Sequence, residues 1–227
     1  MKSISEKPSV FFFCKFPPPY TGQSIGTETF ADLLSGHADV RRIDTSCGIE
    51  RPDVVGVNWF KYYAAQISHL AESYTELNAA LRRRQPDVFY YVASPSLLGH
   101  FKNIIALSIA RPYVGRIVAH VHNGNFPDVF DRPFSRRSSR WLAEKTDTFI
   151  FSSELLSERA GNFIPFDKRR VVHNTVDEQV LCSDKEISNK IAEAPQRKRL
   201  NVLFLSNMIP SKGYMDVACA IELLDRS

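Results

Sequence analysis

Residues 9–19, SVFFFCKFPPP, decide the fold. Val10 to Phe13 is an unbroken apolar run, as in a strand covered on both faces, and Pro17-Pro18-Pro19 stops it in a loop. A strand without a polar face belongs in a parallel sheet with helices packed on both sides. The theme recurs along the chain. ADVRRIDT (38–45), DVFYYVAS (87–94), RIVAHVH (116–122), DTFIFSS (147–153) and RRVVHN (169–174) each read as a short strand with aromatic or β-branched content.

Helical patterns fall between these runs, over 27–36, 59–84, 96–112, 134–145 and 153–161. The clearest is 59–84, where Phe60, Tyr63, Ile67, Leu70, Tyr74, Leu77 and Leu81 recur three and four apart on one face, which must pack on something. Asn58 is placed to cap its start, and Gln85-Pro86 ends it, because the residue before a proline is pushed out of helical geometry. Strand and helix in alternation predict an α/β class, a Rossmann-like parallel sheet with right-handed crossovers.

The rhythm breaks at DEQVLCSDKEISNKIAEAPQRKRL (177–200), which is charged and poor in aromatics. We therefore read residues 1–176 as one domain, 177–200 as a linker and 201–227 as the start of a second domain. That start holds an expected strand at 201–206 (NVLFLS) and a helix from Gly213 to Leu224, too little to bury a core by itself.

Composition bounds the function. The chain has 227 residues, a hydrophobic fraction of 44% and a formal charge of +4, ordinary for a globular protein and no signature of a nucleic-acid binder. No apolar run approaches the ~20 residues that span a bilayer, and the N-terminus lacks the build of a secretory signal, so a cytosolic location is expected. Cys14, Cys47, Cys182 and Cys219 are scattered without a C-x-x-C pair and read as reduced thiols. Arg132, Arg136, Arg137, Arg140 and Lys145 crowd one stretch beside Phe134 and Trp141. This is either a solvated helix face, or a site for a charged acceptor or for peripheral contact with an anionic membrane on its inner, cytoplasmic side.

Four stretches carry candidate chemistry. In PPPYTGQSIGTETF (17–30), Gly22 and Gly26 are expected in the turn before the first helix, where backbone can approach a phosphate, or where they serve a plain tight turn. Asp44 follows at about the interval of a ribose-binding acid, but the glycine spacing is not that of a dinucleotide fingerprint. In AHVHNGNF (119–126), His120 and His122 share a strand face at the carboxyl end, with Asn123-Gly124-Asn125 turning away beside them. Two imidazoles without a third ligand make a poor zinc site; hydrogen bonding to a polar substrate and plain packing both remain. In VVHNTVDE (171–178), His173 and Asn174 either face a cleft or shape a turn. In LFLSNMIPSKGYMD (203–216), Lys212 precedes a helix start and suits a phosphate, although a surface lysine needs no such role.

In this order the four stretches resemble the family 4 glycosyltransferases, retaining enzymes with two facing Rossmann-like domains, the GT-B fold. The resemblance runs from residue 9 to about 224 and is most specific at Lys212-Gly213. It implies transfer of a sugar from a nucleotide-sugar donor to a polysaccharide or glycolipid acceptor, with retention, no metal and no cofactor besides the donor itself. His122 would lie near the reacting sugar as a hydrogen-bond partner, with Gly22, Asn207 and Lys212 on the donor side. His120, Asn123, Asn125 and Asn174 would line the acceptor cleft.

The match also departs from the family. Asn207 stands where many members carry a phosphate-binding arginine, Thr175 replaces a turn glycine, and the glutamate pair that contacts the donor sugar falls beyond Ser227. On this reading the chain is an N-terminal fragment, inactive alone. A non-catalytic α/β binding domain is the alternative. A sugar-nucleotide epimerase or reductase is disfavoured by the missing fingerprint.

Overall fold

Six short strands in the order β2–β1–β3–β4–β5–β6 make a wholly parallel sheet. They are β1 (Ser9–Cys14), β2 (Asp39–Asp44), β3 (Val88–Val92), β4 (Arg116–Val121), β5 (Thr148–Phe151) and β6 (Arg169–Val171). The computed structural model describes residues 7–47, 58–174, 181–196, 202–205 and 212–225. The chain folds as two compact units, Met1–Asn174 and Thr175–Ser227.

Among the described residues of the first unit the α-helices are α1 (Gly22–Ser35), α2 (Trp59–Arg83), α3 (Leu97–Ala110), α4 (Arg136–Lys145) and α5 (Glu154–Arg159). Strand alternation sorts the core into two layers. Phe11, Phe13, Phe89, Tyr91, Ile117, Ala119 and Phe149 pack with Leu77 and Leu81 of α2, Leu107 of α3 and Leu142 of α4. Val10, Phe12, Cys14, Tyr90 and Val92 pack with Ala31 of α1, against which Phe30 and Leu34 also lean. Helices thus lie on both faces, as the apolar strands require.

Two helices differ from expectation. α1 starts five residues before the predicted 27, because Thr21 caps it: its hydroxyl accepts from the Ser24 amide, and the Ser24 hydroxyl reaches the Thr21 amide in return. Gly22 and Gly26 are therefore helical residues and not turn glycines. The apolar face of α2 is the second case. Its buried residues, Ser73, Leu77, Ala80 and Leu81, all fall in the C-terminal half. The Ser73 hydroxyl donates to the carbonyl of Asp44, the last residue of β2, so the fourteen residues 59–72 run beyond that point for roughly 21 Å at 1.5 Å per residue. Trp59, Phe60, Tyr63 and Ile67 continue the buried stripe yet stay exposed. Asn58 caps this helix as expected, accepting from the Phe60 amide at 2.8 Å.

The second unit carries α6 (Asp184–Glu193), capped by a Ser183–Glu186 box, and α7 (Tyr214–Asp225). A helix thus lies inside the stretch read as a linker. Residues 202–205, expected in a strand, form none: among the described residues no partner strand takes their hydrogen bonds, and Leu203 and Leu205 are exposed.

Candidate functional site

The carboxyl ends of the parallel strands gather the chemistry, as in open α/β sheets generally. At the centre is β4. His120 and His122 lie on one face, as their spacing predicts, with rings stacked at a centroid distance of 3.9 Å. Register places Val92 of β3 opposite His120, so Tyr90, one pleat back, reaches the same face. Its hydroxyl is 2.5 Å from His120 Nδ1, and Phe30 of α1 presents an edge to the imidazole at 5.9 Å.

Both imidazoles are held neutral. Burial pushes the pKa of His120 down to about 3, with a smaller contribution from His122, and burial lowers that of His122 as well. Burial also raises the Tyr90 pKa well above its usual value, so the phenol keeps its proton and donates to Nδ1. His120 must then carry its own proton on Nε2. The Nε2 atoms of both histidines are buried without a protein hydrogen-bond partner, which leaves two adjacent polar atoms at this edge for recognition.

The loops around it are fastened from below. Asp44 Oδ1 accepts from the amides of Phe16 and Ser46 at 3.1 and 2.8 Å, and Oδ2 accepts from the Ser46 hydroxyl at 2.7 Å. The Ser46 hydroxyl also lies 3.2 Å from the carbonyls of Phe16 and Pro18. Asp44 is thus engaged in tying the proline loop to β2, which leaves it poorly suited to a ribose. Beside it Lys102 of α3 lies over the Phe13 ring at 5.4 Å with Nζ 3.5 Å from the Thr45 hydroxyl, and burial lowers its pKa to about 8. The Cys14 thiol beneath is pushed by burial to about 12, so it stays protonated. None of the four cysteines forms a disulfide.

Other expected site residues are spread along the edge. Asn123 and Asn125 are exposed, and the Asn123 side-chain Oδ1 accepts from the Asn125 backbone amide at 2.9 Å, closing the turn. His173 lies 3.1 Å from Glu154 beyond β6, and Asn174 beside it is exposed, two strands from the histidine pair and roughly 10 Å away by strand spacing. Gly22 opens α1, and a Cβ built on it meets nothing within 4 Å. In the second unit Lys212 is exposed just before α7, and Gly213 has φ +77°, a conformation that favours glycine. Asn207 lies outside the described residues.

Sequence reading missed Tyr90 and Lys102, whose roles depend on neighbouring strands and not on local motifs. It also missed His100, whose Nε2 lies 2.8 Å from the Ser138 hydroxyl and joins α3 to α4. An open cleft of about 710 Å³ at the opposite ends of β3 and β4, lined by Asp87, Gly115 and Arg116 among others, holds no comparable set of groups. Among the described residues no cluster of three or more His, Cys, Asp or Glu side chains is placed to hold a metal. No described helix is long and apolar enough to cross a membrane.

Sheet order and helices on both faces define the class: a Rossmann-like α/β domain, consistent in fold with a GT-B N-terminal domain. A solved structure shares the fold. The crystal structure of Anabaena Alr3699/HepE in complex with UDP and glucose is similar at 15% identity with a TM-score of 0.51, over 94% of this chain and 57% of that one. The chain therefore spans a little over half the length of that relative. No family model matches the sequence, and no curated protein is similar to it.

Proposed function

We propose that the chain is the acceptor-side portion of a glycosyltransferase that moves a sugar, with retention, from a nucleoside-diphosphate sugar to a glycan or glycolipid. The observation that carries this reading is the pair of neutral imidazoles at the carboxyl end of the central strand, His120 buried and His122 half-buried, each with a buried, unpartnered Nε2. Neutral nitrogens in a half-dry site suit sugar hydroxyls, which need directed hydrogen bonds and carry no charge to neutralise. A relative of the same fold that holds UDP and glucose supports the choice of donor. His122, the less buried of the two, would contact the reacting sugar, with His120 behind it.

Charge on the departing diphosphate is best stabilised by fixed N–H dipoles and cations. The N–H groups at the start of α1, at Gly22, are proposed for that task in the first unit; Lys212 and Asn207 are proposed as donor-side residues of the second unit. The diphosphate itself would take up the acceptor proton, so neither histidine is assigned as a base. The exposed stripe Trp59, Phe60, Tyr63 and Ile67 favours an acceptor with an apolar part.

The test is direct. Imidazole resonances of His120 and His122 are followed by NMR during titration with a panel of nucleotide sugars, including UDP-glucose, and of glycan and glycolipid acceptors. We expect selective shifts at His122 with at least one of these ligands, and loss of the response in His122→Ala. No response to any nucleotide sugar or glycan would sink the reading.

A further inference from the structure

An ammonium group drawn out of water needs a counter-charge, and the fold offers Lys102 none. Its side chain turns in from α3 over the Phe13 ring, whose face replaces part of the lost hydration. Among the described residues its one hydrogen-bond partner is the Thr45 hydroxyl, 3.5 Å from Nζ and at the limit of such a contact. A second cation stands nearby. Lys15, one residue beyond β1, falls by strand alternation on the side of the sheet that Phe11 and Phe13 face. Its charge acts on Lys102 and adds to the lowering of the pKa that burial causes. Neither lysine forms an ion pair among the described residues. Asp44, the acid whose charge reaches Lys102, has its oxygens engaged by Phe16 and Ser46.

α2 borders the same place. Its Ser73 hydroxyl donates to the carbonyl of Asp44, and Gln66, two turns earlier, donates to the Cys47 sulfur, so the helix runs along residues 44–47. The Tyr74 hydroxyl donates to the Lys102 carbonyl at 2.9 Å and ties α2 to α3 at this level. His69 lies between Gln66 and Ser73 on the same side of the helix, level with Thr45 and Ser46. Its Nδ1 is 3.8 Å from the exposed carboxylate of Glu72, and its Nε2 is buried without a hydrogen-bond partner. Two cations, a buried hydroxyl and an orphaned ring nitrogen thus gather where β1 and β2 end.

We infer that Lys15 and Lys102, with Thr45 and His69 beside them, bind an oxyanion, a phosphate or carboxylate carried by the acceptor. Charge decides the ligand. An oxyanion supplies the counter-charge that Lys102 lacks and accepts from both ammonium groups and the Thr45 hydroxyl, whereas a neutral sugar would leave the cations uncompensated. The site is separate from the imidazole pair: it lies on the α2 and α3 side of the sheet, while His120 faces Phe30 of α1. β1 and β4 are two places apart in the sheet, roughly 10 Å by strand spacing. An acceptor that bears its charge a short way from the reacting hydroxyl suits this layout. Naming the acceptor as the carrier rests on the transfer reading above; the anion site itself does not.

The full chain, with its lysines labelled at Cε, is titrated with inorganic phosphate, glycerol phosphate, glucuronate and UDP, and the lysine resonances are followed by NMR. Glucose and sodium chloride are the controls. Saturable shifts at Lys102 and Lys15 are expected with phosphate, glycerol phosphate or glucuronate and with neither control. A response to both phosphates would mark a phosphate group on the acceptor, and a response to glucuronate alone would mark a carboxylate. Lys102→Met and Lys15→Met keep the aliphatic stem and remove the charge. Each should weaken anion binding by about tenfold or more, the loss of one charge-assisted contact, with circular dichroism confirming the fold. Absence of a saturable shift with every anion, or folded lysine variants that bind as well as the wild type, would overturn the proposal. So would a response confined to UDP, which would assign the lysines to the donor. Nucleotide sugars that shift His122 while anions leave both lysines unmoved would remove this proposal alone. The reverse pattern would remove the transfer reading and leave the anion site standing.

Discussion

The Tyr90 hydroxyl and Nδ1 of His120 are 2.5 Å apart across adjacent strands, in a pocket closed by Phe30. Because the phenol keeps its proton, this contact decides which nitrogen of His120 is protonated. Tyr90→Phe keeps the ring and removes the donor. We expect a folded variant destabilised by about 1–3 kcal/mol, the cost of leaving a buried acceptor unpaired. Nitrogen chemical shifts of His120 should move from a single Nε2–H tautomer to a mixture. An unchanged tautomer in the variant would mean that something other than Tyr90 sets the proton.

The same burial predicts a pH dependence. The His120 pKa falls from 6.5 to about 3 on folding, so the unfolded chain takes up the proton first as pH drops. The stabilisation is complete above about 6.5 and is lost as pH falls toward 3. A shift of this size corresponds to a few kcal/mol in all. Paired carboxylates also weaken in acid, so the informative quantity is a difference. Between pH 6.5 and 4.5 the melting temperature of the wild type should fall faster than that of His120→Gln, as followed by thermal denaturation.

Asp44 acts on the loop that the first strand feeds. Its carboxylate takes two backbone amides and one hydroxyl, each on the segment that carries Pro17 to Pro19 or on the residues facing it. Asp44→Ala should cost roughly 2–4 kcal/mol, because hydrogen bonds to a charged acceptor are the stronger kind and the Phe16 and Ser46 amides would lose theirs. Hydrogen exchange should accelerate at those two amides more than in β3 or β4. Uniform acceleration across the sheet would mean that Asp44 supports the fold as a whole and not this loop.

Much of the sheet is visible in the sequence because a strand covered on both faces cannot hide its apolar character. FFF in β1 and FYYV in β3 have no polar period to confuse them with a surface helix. The proline loop, the stop at Gln85-Pro86 and the shared face of His120 and His122 also follow from local geometry. What stays hidden is non-local. Nothing near Tyr90 in sequence indicates that β4 lies next to β3 in a register that brings His120 to its hydroxyl. Glycine misled the reading of α1: Gly22 and Gly26 suggest a turn, but the Thr21–Ser24 capping box starts the helix ahead of both. Apolar character alone also misled at 202–205, where no described strand lies alongside to convert LFL into sheet.

A glycine that local reading passes over supplies the last prediction. Gly99 sits in the first turn of α3, whose N-cap Ser96 accepts from the Gly99 amide at 3.1 Å. A Cβ built there would come within 2.6 Å of Ser94 Cβ and 2.8 Å of Ser96 Oγ, distances that real carbon atoms do not tolerate. Helix propensity alone would reward Gly99→Ala by up to about 1 kcal/mol. Packing opposes it: the methyl group must push back the chain at Ser94, where β3 turns into α3, and overpacking of this kind costs about 1–3 kcal/mol. We expect the clash to win, so that Gly99→Ala lowers the midpoint of chemical denaturation. Removing the obstructing side chain should release the conflict, and the double variant Ser94→Gly/Gly99→Ala should recover most of the loss. If the single variant proves as stable as the wild type, the β3–α3 turn is looser than the close approach of Gly99 to Ser94 implies.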